Sequence, residues 1–200
     1  MSRQLLVDVR PFDISREKIN ESIKDNDGKL VVKGVLQRAE SKNQNGRVYP
    51  REVLLKEVAK YLENQVTERR ALGELDHPES SVVNLNNASH NIIEMHWDED
   101  NLMGTVEVLS TPAGNILKEL FKSGIKLGIS SRGLGSVEPI KEDEGGEDTV
   151  EVQPDFELIA FDFVSNPSTQ GAFMRPVNES VQPKTPENNI EKIINSIMRG

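Results

Sequence analysis

From residue 30 onward the chain alternates apolar and polar positions in short runs separated by turn signals. The segment "KLVVKGVLQRAE" is β-branched and alternating, which predicts a strand. "SKNQNGRVYP" predicts a polar turn, and Pro50 suits the first turn of a helix. Beyond it, Val53, Leu54, Val58, Leu62 and Val66 fall on one stripe at helical spacing, predicting a helix along "REVLLKEVAKYLENQVTER". "NIIEMHWDEDNLMGTVEVLS" predicts two strands around the acidic turn Asp98 to Asn101. "TPAGNILKELFKSG" predicts a short helix with Thr111 as N-cap, Pro112 in the first turn and Gly124 closing it. "IKLGISSRGLGSVEPI" predicts a strand entering a glycine-rich turn. "KEDEGGED" is a solvated acidic loop, and "TVEVQPDFELIAFDFVSNPS" supplies the last strands.

The two ends read differently. Residues 1–28 mix short apolar stretches with charge and close on the turn signal "KDNDGK". After Pro176 comes the polar, proline-bearing linker "VNESVQPKTPENN". Ile190, Ile193, Ile194, Ile197 and Met198 then make a small amphipathic helix. The expected architecture is α+β: a mostly antiparallel β-barrel or sheet of short strands with covering helices. It divides into an N-terminal segment (1–28), a central domain (29–177), and a linker with a C-terminal helix (178–200).

Composition narrows the classes. The 200 residues carry 24 Lys plus Arg against 33 Asp plus Glu, a net charge of -9, which disfavours nucleic acid and anionic membrane as partners. No apolar run is long enough for a spanning helix, and the N-terminus lacks a signal-peptide core, so a soluble cytosolic protein is expected. With no cysteine there is no thiol nucleophile, disulfide framework or Cys-based zinc site. No cofactor is called for. His90 and His96 are six positions apart and H-E-x-x-H is absent, so no metal site is expected.

Two stretches carry candidate chemistry. His77 sits in "LGELDHPESS", a polar, proline-bounded loop after an apparent helix-to-loop transition, where a histidine titrates near neutrality. On its own, a loop histidine with no task is the commoner reading. In "GISSRGLGS", glycines beside serines let backbone approach a substrate and present N–H groups to an oxyanion. An ordinary turn with a solvated arginine reads equally well in isolation. Ile129 stands where a G-x-S-x-G elbow around Ser131 would need glycine, so this is not that motif.

Taken together and in order, "ALGELDHP" and "GISSRGLGS" resemble the prohead proteases of T-even-like phages. "QNGRVYPREVL" upstream is similar to the family's N-x-R-x-Y-P element, and "FDFVSNPS" downstream matches more loosely. The likeness spans about residues 30 to 176. It implies a serine endopeptidase, related in fold to the herpesvirus assembly proteases, that cleaves scaffold, capsid protein and itself inside the immature capsid in the host cytoplasm. Self-association into a homo-oligomer stays open.

Carried onto this chain, the resemblance makes Ser130 the nucleophile, with Ser131 the alternative, and His77 the general base. Backbone N–H groups near Arg132 and Gly133, with the Arg132 charge, are the candidates for oxyanion or substrate binding. Asp162 is the first choice for third member, since an acid among apolar neighbours needs a partner. A solvent-facing strand aspartate is the competing reading. His90, by analogy with a Ser-His-His arrangement, and Glu94 follow. The rival function is a non-catalytic scaffold or tube-like phage protein of the same fold. The resemblance also implies cleavage after Glu, with a branched apolar residue two positions before it. Ile19-Asn20-Glu21 fits that pattern outside the segment expected to fold, and Val177-Asn178-Glu179 fits it in the linker. Self-cleavage after Glu21 and Glu179 is therefore expected, and the tail helix reads equally as a docking element for scaffold or as a helix packed against the protein's own core.

Overall fold

The computed structural model describes residues 16–76, 78, 80–140, 149–165 and 174–176. His77, Glu179, the acidic loop and the tail helix lie outside the described residues.

The alternating segments pair as their patterns require. Strands β1 (Val31–Arg38), β4 (Ala88–Asp98) and β5 (Asn101–Val108) lie side by side and antiparallel. β4 and β5 meet at the predicted acidic turn, where Glu99 takes a positive φ of 52°. Arg51 closes this turn by donating Nη1 to the Asp100 carboxylate at 2.6 Å and stacking over Trp97. Two short strands, β3 (Leu72–Glu74) and β10 (Arg175–Pro176), complete a five-stranded sheet of order β10-β1-β5-β4-β3.

Two smaller sheets stand apart from it. β6 (Gly128–Leu134) pairs antiparallel with β9 (Glu157–Val164), and β2 (Arg47–Val48), β8 (Val150–Val152) and β7 (Val137–Pro139) form a third sheet. The β6–β9 pair approaches the large sheet from both sides. Leu75 bridges Phe163 in parallel, while Gln37 of β1 donates its side-chain amide to Ser131 Oγ at 2.8 Å. That second link is between side chains. Among the described strands no backbone ladder closes the ring, so of the expected barrel or sheet it is separate, mostly antiparallel sheets that form.

Helices cover the interior as their stripes predict. Helix α2 (Arg51–Tyr61) buries Val53, Leu54 and Val58, and Leu62 and Val66 continue the stripe in a single π turn, Leu62–Val66. Thr67 terminates that turn, donating both its N–H and its hydroxyl to the Leu62 carbonyl. Helix α3 (Pro112–Lys122) starts as expected, with Thr111 Oγ1 accepting the Gly114 N–H at 3.0 Å. Gly124 ends it at φ 76°. Leu117 and Phe121 of α3 join Ile92, Val106, Ile129, Phe161 and Phe163 in one apolar core.

Three local readings change. Residues 16–25 form a helix, α1 (Arg16–Asp25), whose Ile19 is fully buried in the same core. Its outward face is too charged to show a long apolar stripe, so one buried position was invisible as a pattern. The stretch before His77 is the strand β3 rather than a helix end. The glycine-rich segment "GISSRGL" is itself strand, with a register shift between Arg132 and Gly133. Gly133 is glycine for space: a Cβ there would lie 2.4 Å from the Phe156 ring.

Gly73 is the tightest approach near the site. A Cβ would sit 2.0 Å from the Phe161 carbonyl oxygen and 2.3 Å from His90 Nε2. Gly73→Ala should therefore cost on the order of 3 kcal/mol. At Gly28 the φ of 85° is the only obstacle and the space is open, so Gly28→Ala should cost about 1 kcal/mol. Urea midpoints of the two variants check this, and equal midpoints would refute it.

Candidate active site

The period of a strand decides which side chains of β6 share a face. Ser130 is directly opposite Asp162 in the β6–β9 ladder, and Arg132 follows two residues on, so all three project to one side. Ser131 projects to the other, with Ile129. There its Oγ accepts from Gln37 and bonds the Tyr49 hydroxyl. The two serines are thus in different chemical settings. Ser130 is 3% exposed and lies among charged groups, while Ser131 belongs to a polar seam between β6 and β1.

Arg132 organises the Ser130 face. Its Nε donates to Asp162 Oδ2 at 2.8 Å, and its Nη2 donates to Asp162 Oδ1 at 3.2 Å and to Glu74 Oε1 at 3.0 Å. Nη1 donates to the Ser80 carbonyl at 2.6 Å. The Glu74 N–H donates to Asp162 Oδ1 at 3.0 Å, and Glu74 Oε1 also accepts the Asn84 N–H at 3.1 Å. Exposure of the Arg132, Glu74 and Asp162 side chains is 8%, 1% and 0%. Asp162 accordingly faces the interior and not solvent. The guanidinium, expected to meet an oxyanion, is already held between two carboxylates.

The chain is anchored just before His77, which itself lies outside the described residues. Asp76 has a φ of 72° and donates its N–H to the Phe163 carbonyl at 2.8 Å. Phe163 is the ladder partner of Ile129, the neighbour of Ser130. The backbone immediately before His77 therefore runs beside the Ser130–Asp162 pair, although Ser130 is more than fifty positions further along the chain.

The remaining candidates are placed elsewhere or bonded otherwise. His90 is fully buried on β4 beside Gly73. Its Nε2 lies 2.9 Å from the Phe161 carbonyl, which can only accept, so Nε2 carries the proton. Nδ1 then accepts from the Ser89 hydroxyl at 2.8 Å. Both ring nitrogens are engaged, and the T-shaped contact with Phe163 at 4.6 Å makes His90 a packing residue. Burial pushes its pKa down to about 4, against a smaller opposing effect of the Phe161 carbonyl and Asp162. Glu94 lies further along β4, paired with Thr105 and accepting its hydroxyl, away from the Ser130 row. Gly133 contributes the close Phe156 packing described above. A cleft of about 350 Å³ lies between α2 and residues 154–158, but Ser130, Arg132 and Asp162 are not among its walls.

Glu74 belongs to the "ALGELDHP" motif but has no role in the resemblance. The signal was present, since an acid flanked by glycine and leucine just before a candidate catalytic loop is an unusual choice for an exposed turn. Tyr61, at the end of α2, is the second unassigned group. Its hydroxyl is buried, and desolvation, reinforced by the charge of Asp162, pushes its pKa well up.

Residues 6–182 match the family described as prohead core protein serine protease. The chain is 33% identical over 150 residues to the prohead core protein protease of Enterobacteria phage T4, covering 74% of this chain and 68% of the relative. Its fold matches the solved structure of the bacteriophage T4 capsid assembly protease with a TM-score of 0.62, over 68% of this chain and 81% of the other, at 33% identity.

The protonation of His90 can be tested through stability. Its folded-state value near 4 lies below the ordinary 6.5, so the unfolded chain binds more protons between those values. Stability is then full above about pH 6.5 and is lost as pH falls toward 4, by up to about 3 kcal/mol. Urea titrations across that range should show this loss in the wild type and a flatter profile in His90→Gln. Parallel profiles would remove the assignment.

Proposed function

The chain belongs to the prohead core protein serine protease family, and from that membership we propose that it is a serine endopeptidase with Ser130 as nucleophile and His77 as general base. One observation above all supports this. Of the two adjacent serines, Ser130 shares its face with the buried carboxylate Asp162, whereas Ser131 is engaged with Gln37 and Tyr49.

Acyl transfer follows from these roles. The Ser130 hydroxyl is a weak nucleophile at its own pKa, so His77 takes its proton as Oγ attacks the scissile carbonyl. The imidazolium then returns that proton to the leaving amine, and the C–N bond breaks to leave an acyl-serine. Water, deprotonated by His77, attacks the ester and releases the acid and free Ser130. Asp162 is the third member that orients His77. Its contacts to Arg132 and to the Glu74 N–H hold the carboxylate in place on the Ser130 face. His90, closed on Phe161 and Ser89, and Glu94, turned to Thr105, fit that role less well.

The substrates in this reading are the phage core and capsid proteins enclosed with the protease in the prohead, cut after Glu. Self-cleavage after Glu21 carries an added condition. Glu21 is on α1, two residues from the fully buried Ile19, and a protease needs its substrate extended. That cut requires α1 to unwind first, whereas Glu179 falls in the polar linker.

Incubating the protein with its own core protein and mapping fragments by mass spectrometry tests the assignment. Ser130→Ala and His77→Ala should each lower cleavage by about 10⁴-fold or more, and Ser131→Ala by less than about tenfold. An active Ser130→Ala beside an inactive Ser131→Ala would move the nucleophile by one position.

A further inference from the structure

We propose that Arg132 is a positioning residue: clamped by Glu74 and Asp162, it fixes the loop 75–84 that carries the general base against the strand that carries the nucleophile. The catalytic part of this rests on the assignment of Ser130 and His77 above.

Three of the loop's anchors lead to this one cluster. Ser80 gives its carbonyl to Arg132 Nη1, and Asn84 gives its N–H to Glu74 Oε1. Asp76, at the near end, is tied to Phe163, one residue beyond Asp162. Leu75 packs on the core at the start of the loop, but Val82 further along is exposed, so beyond Leu75 these polar ties do most of the holding.

The chemistry also argues against a direct role on substrate. Four of the five N–H groups of a guanidinium are used here, all on internal acceptors. Its charge faces two carboxylates, so the formal sum of the cluster is negative, which suits an imidazolium forming nearby and not an oxyanion. Glu74 Oε2, buried and without a hydrogen-bond partner among the described residues, carries part of that surplus. Lysine keeps the charge of arginine but cannot span Asp162, Glu74 and the Ser80 carbonyl at once, because its three donors radiate from one point.

The groups facing Arg132 are Asp162 on β9, Glu74 on β3, Tyr61 on α2 and, through Asp162, His90 on β4. His90 titrates near 4 and Tyr61 far above neutrality, so neither obscures a limb between pH 5 and 8.

The test uses the full chain and a fluorophosphonate probe, whose reaction with an activated serine needs no knowledge of the natural substrate. Arg132→Lys should react about a hundredfold more slowly with the acid limb of its pH profile unmoved. Its amides in residues 75–84 should exchange faster while those of β4 and β5 stay protected. Glu74→Gln keeps the acceptor for Asn84 and Arg132 but removes one negative charge, and should shift the acid limb down by roughly one pH unit. Wild-type reaction rates and wild-type exchange in Arg132→Lys would overturn the proposal. So would faster exchange throughout Arg132→Lys, or an unmoved limb in Glu74→Gln. A wild-type protein that does not react, while Arg132→Lys still loosens residues 75–84 alone, would overturn the Ser130 assignment and uphold the anchor.

Discussion

A guanidinium this far from water is tolerable only if its charge and nearly all its donors are met. Arg132 satisfies that condition through Asp162, Glu74 and the Ser80 carbonyl, groups separated along the chain by as many as 88 positions. Removing one partner of such a cluster leaves an uncompensated buried charge, typically about 3–5 kcal/mol destabilising. The pairing therefore constrains the relative placement of β3, β6 and β9 more sharply than apolar packing, which has no direction. Desolvation of these ions makes the cluster costly in isolation, so it is better understood as a specifier of geometry than as a source of stability.

Around this cluster the fold keeps two chemistries apart by strand alternation. On one side of β6, Ile129 packs into the core and Ser131 joins Gln37 and Tyr49 in linking the small sheet to the large one. On the other, Ser130 and Arg132 face Asp162. A one-residue slip in the β6–β9 register would exchange these faces. Several features oppose a slip: Phe156, with its ring against Gly133 and its backbone against Gly135, the register shift after Arg132, and the Asp155 carboxylate holding the Ser136 N–H and hydroxyl. Those two hydrogen bonds also hold the Asp155 carboxyl below its usual range.

Membership of the prohead core protease family accounts for why the motifs around residues 74–78 and 128–136 occur together. In this chain they are two halves of one ion-paired unit. The glutamate of the first half meets the arginine of the second at 3.0 Å. His90 shows how close a residue can lie to such a unit without belonging to it, since burial keeps its ring neutral and both nitrogens are closed on neighbours.

What the sequence determined by itself was what rests on local patterns. The stripe of α2, the cap and stop of α3, the hairpin β4–β5 and the mostly antiparallel α+β class were legible because periodicity, capping and turn chemistry act within a few residues. The two motifs, and through them the family, were legible because their residue types are improbable in that order for any plain strand or turn. Other features were decided only by tertiary structure. α1 depends on burying Ile19, β3 exists because β4 offers it an edge, and the glycine-rich stretch becomes strand because β9 pairs with it. The difference between Ser130 and Ser131, the interior place of Asp162 and the anchoring role of Glu74 all follow from long-range pairing. Charge neutralisation across 58 positions leaves no periodic trace in a sequence, because it depends on where distant segments meet rather than on how near ones repeat.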